Sequence, residues 1–285
     1  MAASIEDIKK LAQITLRDKG FYSGNIDGLW DSGSNNAYAD YMSHLSEGGQ
    51  QLGEEGALDE DATIGPVKGV VVLDPGHGGT QKVGGSSPNN ATSPSGVLEK
   101  TITLDMAKLI RKELNQLATQ RPGSNLKVHL TRTSDENIGL ADRARVAKAK
   151  KANVFLSIHC NGFNGAVRGT ETLIISKQNG NVNVEQDRAL AQRIQTAMVT
   201  TLKRHDPAAF DRKVKDHQRL GVLKDVHLQN PNTNSKTRAC LAELEFIDVP
   251  AVDSLLNTGP TAKTVRKDLA RSMAEAIIDD LEANN

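Results

Sequence analysis

Two histidines and three glutamates stand out in this sequence by the company they keep. His77 lies in Asp74-Pro75-Gly76-His77-Gly78-Gly79, directly after the apolar run GVVVLDP, and His159 closes a second such run in NVFLSIHCN. Glu99 lies between them in GVLEKTITL, and Glu243 and Glu245 share a later run, CLAELEFI. Two imidazoles and one carboxylate are a common ligand set for catalytic zinc, with a fourth position left for water. Zinc in such a site lowers the pKa of its water to about 7 and polarises a carbonyl. A free carboxylate nearby can then take the water's proton and pass it to a leaving amine. The glycines beside His77 let the backbone turn sharply and leave room for metal and substrate. Taken singly, each residue has a plainer use: a histidine at a strand end is commonly a hydrogen-bonded structural residue, and a glutamate at a helix start favours the helix dipole. His44, His129, His205, His217 and His227 stand in no comparable context.

These residues are far apart in the chain, so the elements that carry them must bring them together. GVVVLDP is a short, continuous β-branched run ending in Pro-Gly, which predicts a buried strand. Ile102, Met106, Leu109, Ile110, Leu114 and Leu117 mark one face of a helix. KVHLTR predicts a second strand, LADRARVAKAKK a helix, NVFLSIHC a third strand and GTETLIIS a fourth. Leu190, Ile194, Ala197, Met198 and Leu202 stripe another helix. CLAELEFI is a late strand, and Val265, Leu269, Met273, Ala276, Ile277 and Leu281 stripe the last helix. Strands alternating with helices predict an α/β domain, its mostly parallel twisted sheet flanked by helices. Sites in such sheets gather at the carboxyl ends of strands, where His77 and His159 stand. Side chains alternate along a strand, so Glu243 and Glu245 face the same side and spacing does not choose between them.

The first part of the chain reads differently. Of nine aromatic residues, five (Phe21, Tyr22, Trp30, Tyr38 and Tyr41) precede residue 46. Ile5, Ile8, Leu11, Ala12 and Leu16 follow helical spacing, with Ser4 as N-cap. Tyr38, Tyr41, Met42 and Leu45 repeat the pattern after the turn-rich SGNIDG. The segment EGGQQLGEEGALDEDATIG carries six acids and no base; it has too little to bury to offset its ordering entropy and reads as a linker. The expected organisation is a small all-α module with an acidic linker over residues 1–64 and a catalytic domain over 65–285.

A formal net charge of zero gives no electrostatic case for nucleic acid as partner. No stretch approaches the roughly 20 apolar residues of a membrane span, and MAASIEDIKK lacks the basic and apolar regions of a secretion signal. The expectation is a monomer synthesised in the cytoplasm, without membrane insertion. Cys160 and Cys240 are too few for a disulfide framework.

VVLDPGHGG, GVLEK, LTRTSD, SIHCN and LAELEFI, in that order, resemble the motifs of the type-3 N-acetylmuramoyl-L-alanine amidases, from about Val70 to the C-terminus. The resemblance implies zinc held by His77, Glu99 and His159, with Glu243 as the catalytic glutamate. It also implies hydrolysis of the amide joining the lactyl group of N-acetylmuramic acid to the L-alanine of the peptidoglycan stem peptide. Arg132 and Arg143 match family positions and are read as buried ion pairing that braces the fold; Asn161 is a candidate substrate contact. The chain departs from the family in three places: Glu245 stands where glycine is usual, Cys160 where a small residue is common, and KDVHLQNPNTNSKTR is longer than the usual connection. KLAQITLRDKGFYSGNIDGLW with AYADYM resembles the three-helix peptidoglycan-binding modules fused to such hydrolases. A wall-binding module without a signal peptide implies a phage or prophage endolysin that acts on the wall after release. Two rivals remain: a non-catalytic peptidoglycan-binding protein, and a zinc peptidase cutting within the stem peptide.

Overall fold

The computed structural model describes residues 5–18, 22, 25–27, 29, 34, 65–177, 181–228 and 237–284. The chain divides into two compact units, residues 1–62 and 63–285. In the first, α1 spans Ile5–Asp18. Gln13 is its buried polar centre, with Nε2 donating to the Leu29 carbonyl at 2.8 Å and lying 3.1 Å from Ser34 Oγ and 3.3 Å from the Tyr22 hydroxyl. Tyr22 is buried and its hydroxyl donates to the Asn25 carbonyl. The helix expected around Tyr38–Leu45, the acidic linker, and Phe21, Trp30, Tyr38 and Tyr41 lie outside the described residues.

The second unit is built on β1 (Lys68–Pro75), α2 (Glu99–Thr119), β2 (Asn125–Leu130), α3 (Leu140–Lys150), β3 (Val154–Asn161) and β4 (Thr170–Ile175). Next come α4 (Val184–His205), β5 (Asp211–His217) and β6 (Arg238–Phe246). α5 (Pro250–Asp253) runs into a π turn, Ser254–Thr258, and α6 (Ala262–Glu282) closes the chain. The sheet order is β2-β1-β3-β6-β4-β5. β2, β1, β3 and β6 are parallel, so the residues after β1 and β3 and the end of β6 all emerge at one edge.

The continuous apolar runs follow from burial on both faces. Val71 and Leu73, with Leu156 and Ile158, join the core beneath α2, α4 and α6; Val72 and Phe155 face a second core with Ala144 and Ala147 of α3. The long connection before β6 is more than a surface loop at its near end: Val222, Leu223 and Leu228 are buried in that second core. Residues 229–236 lie outside the described residues.

The sheet is mostly parallel as expected, and two features add to that reading. β4 runs antiparallel to β6. Residues 162–169 join β3 to β4 and fall short of the dozen or so needed for a parallel crossover, so β4 starts at the edge where β3 ended and returns. β5 was not anticipated. DRKVKDH has one aliphatic residue, Val214, because it is an edge strand on β4, and its charges guard that edge against further pairing. No helix among the described residues is long and apolar enough to cross a membrane.

Both cysteines are buried and free. Cys240 pairs in register with Leu156, four residues along β3 from Cys160, a separation of about 13 Å at the strand rise. Cys160 points to the helix-covered core, and burial pushes its thiol well above the usual range.

Candidate metal centre

The three residues named first by their chemistry meet at the sheet's carboxyl edge. The ligand atoms of His77, Glu99 and His159 lie within 4.8 Å of one another. Among the described residues they are the one such gathering of three or more His, Cys, Asp or Glu side chains. Oε1 of Glu99 stands 3.1 Å from His77 Nε2 and 3.0 Å from His159 Nδ1, and the two imidazoles meet edge to face with centroids 4.9 Å apart.

Neighbours fix how each ligand is presented. His77 Nδ1 donates to the Ser87 carbonyl at 3.0 Å. The proton on Nδ1 leaves a lone pair on Nε2, the arrangement in which an outer partner orients a ligating histidine. Nε2 is buried with no hydrogen-bond partner, although a carboxylate oxygen lies 3.1 Å away. Two lone-pair atoms so close and shielded from water call for a cation between them, and the set fits zinc. Glu99 is the first residue of α2 and 1% exposed; Oε1 accepts the Cys160 amide and Oε2 the Ala91 amide, both at 3.1 Å. Burial opposes its charge, but the imidazoles of His159 and His77 beside it outweigh that and hold the carboxyl well below its usual range.

His77 has φ of +61°, a left-handed backbone rare outside glycine. The surroundings over-determine it. Arg143 donates to the carbonyls of Pro75 at 2.7 Å and His77 at 2.8 Å and to Asp74 Oδ1 at 2.8 Å. Arg132 donates to the carbonyls of Pro75, Gly76, Ser134 and Lys100. Both guanidiniums are almost fully buried. The expectation of ion pairing therefore holds for Arg143 with Asp74, whereas Arg132 is held mainly by carbonyl oxygens. Burial raises the Asp74 pKa, but Arg143, Thr131 and Ser157 bring it below the ordinary value. The glycines make room for protein rather than for substrate alone. A Cβ on Gly76 would stand 2.3 Å from the His159 ring, and one on Gly78 2.0 Å from the Glu136 carbonyl oxygen.

A cleft of about 350 Å³ opens beside the cluster, lined in part by Asn90, Glu99, His159, Asn161, Phe163 and Glu243. Glu243 pairs in register with His159. Its Oε2 is buried without a hydrogen-bond partner, and burial, then the charges of Glu99 and Glu171, push its pKa well above the carboxylate range. Glu245 is placed otherwise. β3 and β6 pair at His159 with Glu243 and at Asn161 with Phe246, so Cys160 alone opposes Leu244 and Glu245. That bulge interrupts the simple alternation. Glu245 is fully buried; its Oε2 accepts the amides of Gly169 at 2.7 Å and Phe246 at 2.9 Å, and its Oε1 accepts Arg168 at 3.2 Å. It fastens the β3–β4 turn and does not line the cleft. Asn161 lines the cleft and donates to Glu171 Oε1 at 3.0 Å.

The sequence reading missed Ser87, which orients His77, and Ala91, whose amide holds Glu99; backbone donors and acceptors leave no mark in residue type. It also missed Glu171, which pairs across strands with Glu243 and is bound by Arg212 and Lys215. The basic run DRKVK of β5 was the available signal. Three of the other described histidines serve locally, His205 pairing with Asp268, His227 with Asp225 and His217 accepting the Arg219 amide, while His129 lies in β2 opposite Val72.

The N-acetylmuramoyl-L-alanine amidase family description matches residues 71–279. The chain is 27% identical over 253 residues to the N-acetylmuramoyl-L-alanine amidase AmiC of Neisseria meningitidis serogroup B, covering 78% of this chain and 56% of that protein. It is 31% identical over 208 residues to the endolysin of Bacillus phage SPP1, covering 73% of this chain and 66% of that protein. The chain spans about half or less of the first curated relatives it matches, 56%, 30% and 55% of their lengths. Among solved structures, an N-acetylmuramoyl-L-alanine amidase from Clostridium difficile 630 is similar at TM-score 0.60 and 24% identity, over 76% of this chain and 99% of that one. Ami1 of Mycobacterium smegmatis gives TM-score 0.60 at 18% identity, over 77% of this chain and all of that one; at these identities both likenesses are of fold. With the family description matching residues 71–279, the chain belongs to the N-acetylmuramoyl-L-alanine amidase family.

Proposed function

We propose that the chain hydrolyses the amide between the lactyl group of N-acetylmuramic acid and the L-alanine of the peptidoglycan stem peptide. His77, Glu99 and His159 hold a zinc ion and Glu243 is the general acid–base. The observation that carries this reading is the unpartnered, shielded Oε2 of Glu243 in the cleft that Glu99 and His159 of the three-residue cluster also line. A zinc ion bound there would supply Lewis acidity toward the attacking water and the scissile carbonyl. Glu243 takes the proton from that water. Its raised pKa favours the protonated carboxyl, which suits it to keep the proton until the departing alanine nitrogen accepts it. Arg143 and Ser87 keep His77 in position while the proton moves.

The likeness to a phage endolysin supports an endolysin role: a monomer made in the cytoplasm and released to the wall. Residues 1–64 act as a wall-binding module that raises local concentration on the insoluble polymer without adding to the chemistry. Mass spectrometry of digested peptidoglycan tests the reading. Stem peptides with a free N-terminal L-alanine are expected. Fragments cut inside the stem would replace it with a peptidase, and binding to sacculi without any cleavage would replace it with a non-catalytic wall-binding protein.

A further inference from the structure

The cleft carries a second incompletely bonded carboxylate besides Glu243. Asp248 lines the cleft two residues beyond the end of β6. Its Oδ2 accepts the backbone amides of Phe163 at 2.9 Å and Gly165 at 2.8 Å, which ties down the turn after β3. Its Oδ1 is shielded from solvent and has no hydrogen-bond partner. A buried carboxylate oxygen left unbonded costs free energy unless something donates to it. Nothing among the described residues does so. Phe163, on the turn that Asp248 holds, also lines the cleft with its side chain 76% exposed. Gly162 lines the same cleft, and a Cβ there would crowd Ala91 Cβ at 2.9 Å while standing 3.8 Å from Asp248 Cγ.

We infer that Asp248 is a specificity-determining residue, its Oδ1 accepting a hydrogen bond from an N–H of the stem peptide while Phe163 forms an apolar wall beside it. This rests on the amidase reading proposed above. The role is one of binding: Asp248 holds the substrate's peptide part and acts on KM. The N–H belongs either to a backbone amide or to a side-chain ammonium of the stem, and the two are separable by experiment.

Asp248→Asn is the informative variant. Its carbonyl oxygen can keep the Phe163 and Gly165 amides, while its NH₂ replaces the free acceptor with a donor. With zinc-loaded full-length protein and a soluble muropeptide, KM should rise by about 10-fold or more, as for loss of a hydrogen bond to a charged group. The value of kcat and the zinc content should stay within about twofold, as for a contact made equally in ground and transition states. Wild-type protein is tested in parallel on muropeptides with the third-residue amine acetylated, or with a stem amide N-methylated. A KM penalty from acetylation assigns the ammonium, and one from methylation assigns the amide; in either case the penalty should vanish in Asp248→Asn. An unchanged KM in Asp248→Asn overturns the inference, as does a wild-type KM indifferent to both modifications should the variant not fold. Failure of the amidase reading looks different: wild-type protein would release no stem peptide from any of these substrates.

Discussion

The cleft and the bracing behind it are built from the same residue types, and they differ in how completely those residues are bonded. In the bracing, Asp74 is met by Arg143, Thr131 and Ser157, and Glu245 by two backbone amides and Arg168. In the cleft Glu243 keeps one oxygen without a partner, and beside it His77 keeps one nitrogen so. Glu243 and Glu245 are two residues apart on one strand, yet one is left available and the other is consumed. A carboxylate with every lone pair occupied holds backbone in place; one left short of partners is positioned to exchange protons. The bracing makes the cleft's unmet valences tolerable by fixing the segments that carry them, including the left-handed backbone of His77.

The largest effect should come from breaking the cleft side of this contrast. Glu243→Gln should lower kcat by about 10²–10⁴-fold, the usual contribution of a general acid–base group, with zinc content unchanged. Its melting temperature at neutral pH should be no lower than wild type. Folding raises the Glu243 pKa above its ordinary 4.5, so the side chain costs the fold little below that pH and progressively more as pH climbs through the raised value. Glutamine removes that cost. Activity assays and thermal melts of one preparation check both halves.

Glu245→Gln should behave in the opposite way, with kcat reduced far less than in Glu243→Gln and stability lowered by about 1–3 kcal/mol. The amide group would face Arg168 or one of the two backbone amides with a donor where an acceptor is needed. Urea titration reads the loss. A Glu245→Gln variant deader than Glu243→Gln would reverse the two assignments.

Arg143→Lys sharpens the comparison by loosening the bracing without touching a ligand. Lysine keeps the charge facing Asp74 but cannot fork to the carbonyls on either side of His77. Zinc affinity, measured by competition with a chelator, should fall by about 10–100-fold, the usual range for outer-shell partners. The smallest effect is on pH. Glu243 must lose its proton to act as base, and burial, Glu99 and Glu171 all push its pKa up. Glu171→Gln removes one negative charge and frees the positive charges of Arg212 and Lys215. The acid limb of kcat/KM should therefore move to lower pH.

The sequence carried most of the parallel half of the fold and little of its antiparallel edge, for a physical reason. β1, β3 and β6 are buried on both faces and so are written as apolar runs with chemistry at their ends. β5 is an edge strand that needs charges, and DRKVKDH hides it among loops. The site divides in the same way. His77, Glu99 and His159 are legible because the ligation proposed for them would restrict residue type. The division of labour between Glu243 and Glu245 is not, because a bulge opposite Cys160 decides it, and the motif resemblance had to stand in for geometry. Asp248 was hidden for a similar reason, since LEFIDV gives no hint that one oxygen holds a turn and the other is left free.

In the proposed mechanism His77, Glu99 and His159 form a metal site that the chemistry requires. Elemental analysis of the purified chain, paired with muropeptide cleavage before chelation, after chelation and after zinc is restored, tests it most directly. About one zinc per chain is expected, as a three-ligand catalytic site requires, with loss of cleavage on removal and recovery on return. Full cleavage by metal-free protein would contradict it.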